Sequence, residues 1–249
     1  MTGGSKGIGL AVAEELAAEG SDVAICARNG DEVQTAAARL RTFGHVVHAQ
    51  VADVTDPAQV SDLVRNTVQT LGGLDILVNN AGAAHPGNFE SLSDDDWQGD
   101  LDVKLFSQIR CTREALRHLR ASPGARVINI NSVYARYPDP TFFATTVNRA
   151  ACLNLSKALA REFAADGILV NSVNIGFVVT PQWENIRQRR APDSSTDEFF
   201  AALAKDEVPL GRFGRVGEVS GIVAFLASDR ASYLTGTSID VAGGMGRYV

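Results

Sequence analysis

Cysteine is scarce in this chain, and nothing about its placement makes it structural. The three thiols, Cys26, Cys111 and Cys152, are widely spaced, odd in number and set in apolar stretches. That pattern argues against a disulfide framework or a thiolate metal cluster. It fits buried, reduced thiols in a cytosolic protein. The four histidines, His45, His48, His85 and His118, form no HxxxH-type pair, so no metal site is expected. No apolar run reaches the ~18 residues of a membrane helix, and the glycine-rich start lacks a signal-peptide pattern. Positive charge is not in excess: 23 Lys and Arg against 29 Asp and Glu leave a net charge of -6. That balance argues against nucleic acid or an anionic membrane as the main partner.

What the chain does contain is alternation. Apolar β-type runs lie at 22–27 "DVAICA", 45–51 "HVVHAQV", 74–79 "LDILVN", 125–130 "ARVINI", 168–174 "ILVNSVN" and 237–241 "TSIDV". Helix-period stretches at 8–19, 30–42, 57–71, 94–120, 142–165 and 217–228 separate them. Alternation of this kind, with near-continuous apolar strands, predicts an α/β fold whose parallel sheet is covered on both faces. No linker or repeat interrupts it, and a single domain over 1–249 is expected. The longest irregular stretch, 181–213, contains "RQRRAPDSSTDEFF" and is expected to form a lid or pocket wall.

"TGGSKGIG" (2–9) opens the first helix. Gly3 suits a tight turn, Gly7 lets backbone approach a pyrophosphate, and Gly9 allows close helix packing. The helix N-terminus then offers free N–H groups and a positive dipole end to phosphate. A glycine turn of this kind should follow a strand, yet only Met1 precedes it. In a doubly wound sheet that strand is central. The expectation is a first strand missing from the sequence, with two strand edges facing its slot. An NAD site needs an acid about 20 positions on, for the ribose 2′-hydroxyl. Arg28 stands there instead, and Lys6 lies inside the glycine turn. Two cations near the adenosine ribose favour a 2′-phosphate, hence NADP(H). In "VADVTD" (51–56), Asp53, beside Val54, is expected at the adenine amino group, and Asp56 is the better helix cap.

Together, "TGGSKGIG", "ADV", "NNAG" (79–82), "AREFAADGILVNSVNIG" (160–176), "PLGRFGRVGEV" (209–219) and "ASYLTGTSIDVAGG" (231–244) resemble the short-chain dehydrogenase/reductases. The likeness spans the chain and extends to the 3-oxoacyl-carrier-protein reductase type. It implies a single-domain Rossmann fold and a small-molecule substrate. It also implies a four-helix dimer interface on 94–120 and 142–165, within a homotetramer. By resemblance, Gly3, Ser5, Lys6, Gly7 and Ile8 would hold the pyrophosphate and the ribose phosphate. Asn80, Ala81 and Gly82 would pack on the adenine ribose. Gly176, Val178 and Thr180 would contact the nicotinamide, and Ser132 would bond the substrate oxygen.

The departures cluster at the chemistry. Where the family has asparagine, serine, tyrosine and lysine, this chain has Lys104, Ser132, Thr145 and Arg149. Its "NIG" replaces the usual "NPG" through Ile175, and Ala242 replaces the usual aspartate of the closing motif. An aliphatic hydroxyl is not acidic in any accessible range, and a guanidinium does not release a proton. Arg149 is therefore expected to bind the nicotinamide ribose, and Thr145 to hydrogen-bond the ribose or Ser132. The remaining candidate donors are Lys104 and Tyr134, with Tyr137 nearby. Two readings stay open: an NADP(H)-dependent oxidoreductase with a non-standard proton donor, or a catalytically silent NADP(H)-binding protein.

Overall fold

Along β4 (Arg126–Ser132), neighbouring side chains serve opposite faces of a sheet. Val127 packs with Leu77, Leu119, Phe163 and Ile168 on one side. Ile128 packs with Val12, Val78, Val173 and Val223 on the other. Two apolar faces require apolar residues at successive positions, which is why the strand runs do not alternate. The computed structural model describes residues 1–246; the last three residues of the single domain expected over 1–249 lie outside it.

The order of elements is α1 (Gly7–Ala18), β1 (Val23–Ala27), α2 (Gly30–Arg41), β2 (Val47–Val51), α3 (Pro57–Leu71) and β3 (Ile76–Asn79). Then come α4 (Asp94–Leu101), a π-helical turn over Asp102–Phe106, α5 (Ser107–Leu119), β4, α6 (Phe143–Glu162) and β5 (Leu169–Ile175). The chain finishes with α7 (Pro181–Arg190), α8 (Thr196–Glu207), α9 (Val216–Ala227) and β6 (Ser238–Val241). All strand pairs are parallel: β1 with β2, and β3-β4-β5-β6 in that order. Helices α1 and α9 supply apolar residues to one face, and α3, α5 and α6 to the other.

Between β1 and β3 runs the start of the chain. The Thr2 N–H donates to the Val78 carbonyl, the Cys26 N–H to the Met1 carbonyl, and the Gly4 N–H to the Cys26 carbonyl. The central slot is thus spanned at its C-terminal end by Met1 to Gly4, which deliver the glycine turn to the cleft. The long segment 94–120 is not one continuous helix, because it widens into the π-helical turn around Lys104. Nor is 181–213 irregular. Pro181 sits at the N-terminus of α7, and a Ser195–Glu198 capping box starts α8. The polar composition masked these helices, whose buried side is a compact aromatic cluster in which Phe200 stacks on Phe213 at 4.5 Å.

Among the glycines of the fold, Gly9 has the least room for a side chain. A Cβ there would lie 2.1 Å from the Gly3 carbonyl oxygen and 2.5 Å from the Asn80 amide nitrogen. Gly9→Ala should therefore push α1 off the glycine turn. The expected result in a thermal melt is a loss of at least the ~1–3 kcal/mol typical of an overpacked core, with cofactor affinity falling in parallel.

Candidate active site

The strands end on one side of the sheet, and a cleft of about 480 Å³ opens there. Parallel α/β sheets place ligand sites at this edge because the strand ends and helix N-termini converge on it. The candidates named from the sequence, Tyr137 apart, line this cleft. Gly3, Ser5, Lys6, Gly7 and Ile8 form one wall, with Arg28, Asp53 and Val54 at one end. Asn80, Ala81 and Gly82 lie along the middle, and Gly176, Val178 and Thr180 lie opposite. Ser132, Tyr134, Lys104, Thr145 and Arg149 occupy the other end. Tyr137 does not join them, because it borders a separate hollow beside the end of α8.

At the first end, the α1 N-terminus is preorganised for an anion. Lys6 is its N-cap residue but makes no side-chain cap bond, and no acid occupies the first turn. The N–H groups are therefore left for a ligand. The glycine turn is held from behind by Asn80, whose amide donates to the carbonyls of Thr2 and Gly3, both at 3.0 Å. The Thr2 hydroxyl in turn accepts from the N–H groups of Asn80 and Ala81. The Lys6 ammonium is not free, since it pairs with Glu32 at 2.7 Å, and Ser5 donates to the same carboxylate. Glu32 is drawn there by the start of α2, which Asn29 caps by accepting from the Glu32 N–H. Arg28 is exposed at the rim. Asp53 is turned partly inward on its own loop, accepting from the Thr55 N–H and hydroxyl. Asp56 caps α3, as its position predicts.

At the other end, the arrangement departs from the sequence expectation. The Thr145 hydroxyl donates to Asp100 Oδ1 at 3.1 Å rather than to Ser132. The reason is steric and electrostatic: Asp100 is 2% exposed, and a buried carboxylate recruits every donor within reach. Lys104, 1% exposed, pairs with the same oxygen, and the Asn148 amide donates to Oδ2 at 2.8 Å. Burial pushes the Lys104 ammonium down to about 8; the Arg149 charge adds to this and Asp100 resists it. Tyr134 moves the other way. Burial, and then the nearby Asp139 carboxylate, make its phenol hold its proton more tightly than usual. Its ring stacks on Phe142 at 5.6 Å between centroids.

Ser132 stands at the end of β4 and lines the cleft, with its Oγ accepting from the Tyr134 N–H at 3.2 Å. Arg149 reaches back to the sheet, where Nη1 donates to the Ile130 carbonyl at 2.9 Å. Its Nη2 lies against Gly82, where a Cβ would come within 3.0 Å. The glycine is what lets the guanidinium lie along the cleft floor. Asp100, Asn148 and Glu32 had no motif to mark them. The sole sequence signal was an acid four residues before Lys104 on a helix, and that spacing also describes ordinary surface pairs.

A family model described as enoyl-(acyl carrier protein) reductase matches residues 3–246. A putative ketoacyl reductase of the granaticin polyketide synthase from Streptomyces violaceoruber is 36% identical over 252 residues, covering 100% of this chain and 92% of that protein. Among solved structures, an NADPH-bound short-chain oxidoreductase from Pseudomonas aeruginosa PAO1, described as containing an atypical catalytic center, is 38% identical with a TM-score of 0.93. L-Sorbose reductase from Gluconobacter frateurii, complexed with NADPH and L-sorbose, is 33% identical with a TM-score of 0.96. Each of these two comparisons covers 100% of this chain and 96% of the other. With its doubly wound parallel sheet, its glycine turn against "NNAG" and likeness along its whole length, the chain belongs to the short-chain dehydrogenase/reductase family of oxidoreductases.

Proposed function

We propose that the protein is an NADP(H)-dependent oxidoreductase that reduces a polarised double bond of a small molecule, a carbonyl, enone or imine, with Lys104 as the proton donor. The observation that carries this reading is the state of Lys104: a buried ammonium lining the cleft, brought to about 8, where it can release a proton near neutral pH. The two hydroxyl alternatives are weaker. Thr145 is committed to Asp100 and is not acidic, and the Tyr134 phenol is pushed away from release.

The residues present fit the cofactor. The open N–H groups of α1 suit a pyrophosphate, and Arg28 suits a 2′-phosphate where an NAD site would hold an acid. When bound, NADPH supplies the hydride. Asn80, Ala81 and Gly82 shape the adenosine side, and Gly176, Val178 and Thr180 face the nicotinamide side. Arg149 presents Nη2 over Gly82 to the ribose hydroxyls. Ser132 would donate to the substrate heteroatom, and Lys104 would pass a proton to the substrate as negative charge develops on it. Helices α7 and α8 act as the lid: Gln182 bonds the Ala84 N–H at 3.0 Å, joining α7 to the loop after "NNAG". Trp183, Phe177, Phe142 and Tyr134 give that end an apolar lining that excludes water. The chain assembles as a homotetramer or dimer through the segment from α4 to α5 and through α6, whose outer faces leave Phe106 of the π-helical turn and Val147 of α6 exposed.

Four measurements test this reading. NADPH should bind more tightly than NADH, a phosphate–guanidinium pair being worth roughly 1.5–3 kcal/mol, and Arg28→Asp should reverse the order; equal affinity for both in the unmodified protein would sink the assignment of Arg28. Reduction needs Lys104 protonated, so kcat should fall as pH rises through about 8, measured against a panel of carbonyls, enones and imines. Lys104→Gln, which keeps a donor for Asp100 but has no proton to release, should lower kcat by about a hundredfold or more with NADPH affinity retained. Tight NADPH binding with no turnover across the panel would favour the silent binding protein instead. Light scattering at micromolar concentration should give a dimer or tetramer mass, and a monomer would contradict the assembly.

A further inference from the structure

Asp100 is a buried anion at the catalytic end of the cleft for which the hydride-and-proton chemistry itself has no use. It lies on α4, while two of its three partners, Thr145 and Asn148, project from α6. The third, Lys104, comes from the π-helical turn one turn further along. Oδ1 takes both the Lys104 ammonium and the Thr145 hydroxyl, and Oδ2 takes the Asn148 amide. The side chains of Lys104 and Asp100 are 1% and 0% exposed. The other charged or titratable groups acting on Lys104 are Arg149 and Cys152, both from α6.

We propose that Asp100 is a positioning residue for the reaction: its carboxylate fixes Lys104 in the cleft as a proton-bearing ammonium and holds the Thr145 hydroxyl away from the substrate. The inference rests on Lys104 as the donor. Without Asp100, Lys104 would face the Arg149 cation in a buried setting with no anion to offset it. The ammonium would then lose its proton before it could serve. The donors on the carboxylate matter as much as the carboxylate. Once Lys104 has handed its proton to the substrate, Thr145 and Asn148 still hydrogen-bond the Asp100 oxygens, so the carboxyl group keeps its place for the next cycle. The hydroxyl at position 145 thereby keeps a use after losing the acidity that the family's tyrosine has there. The π-helical turn fits the same purpose, because such turns re-aim side chains within a helix, often at functional sites.

The test uses the whole protein labelled with ¹³C-lysine, with Lys104→Gln identifying the Lys104 signal. In the unmodified protein that signal should titrate near 8. Asp100→Asn should move it down by about a unit or more, because the offsetting anion is gone. Thr145→Val, nearly isosteric, should move it up, because Oδ1 loses the donor that competes with the ammonium. An unmoved titration in both variants overturns the proposal, and Thr145→Val answers alone if Asp100→Asn does not fold. In turnover, Asp100→Asn should lose about tenfold or more in kcat with KM changed far less, and the alkaline limb of kcat should move down with the Lys104 signal; Asp100→Glu should recover part of the loss. A limb that stays put while the Lys104 signal moves overturns the catalytic role of Asp100. Whether Lys104 is the donor is decided separately, by the loss of turnover in Lys104→Gln.

Discussion

A buried carboxylate tolerates no vacancy around it, and the Ser132 end of the cleft is organised by that requirement. Asp100 draws a lysine from the next turn of its own helix segment, and a hydroxyl and an amide from α6. Burial of an ion costs several kcal/mol unless it is paired and hydrogen-bonded. Both α4 and α6 are therefore held in register by the same group. The consequence for function is direct: the residue at the family's tyrosine position serves the carboxylate, and the residue at its asparagine position becomes the cation that faces the cleft.

The remainder of the site is held by polar groups that cross the sheet where apolar packing would be expected. Asn79 donates to Asn129, and Asn129 donates to Ser156, each at 2.8 Å, which ties β3 to β4 and β4 to α6. Asn131 donates to the Arg149 carbonyl at 3.1 Å, and Arg149 returns a bond to Ile130. A buried amide that donates to one specific neighbour fixes relative position more sharply than apolar contacts do. At the opposite end, Asn80 performs the same service for the glycine turn. The two ends of the cleft are thus referenced to one rigid strand edge, which hydride transfer between a nicotinamide and a substrate requires.

Much of this was legible in the sequence because it depends on local or periodic signals. Gly3, Gly7 and Gly9 are spaced for a turn that opens a helix, and the cleft wall contains them all or packs on them. Strand runs such as "ARVINI" are apolar at successive positions because two layers of helices cover them. Asp56 reads as a cap because the capping interaction spans only a few residues. The helices α7 and α8 were hidden for the opposite reason: their stability comes from burying Phe200 and Trp183 against Phe177 and Phe213, contacts outside any local window.

The sequence by itself determined the parallel α/β sheet, the glycine turn and the loss of an acidic hydroxyl and a lysine from the family's catalytic positions. These follow from periodicity, from glycine spacing and from residue chemistry, none of which needs a distant partner. What surrounds those positions was decided only by the tertiary structure. Lys104 would be an ordinary solvated lysine on a helix exposed to water. It becomes a low-lying ammonium because α6 seals it in and sets Arg149 nearby. Tyr134 remains a candidate donor in the sequence where Thr145 does not, and in the structure Asp139 and Asp100 engage the two hydroxyls. Proton affinity depends on burial and on charges brought together from separate elements, and those are properties of the fold.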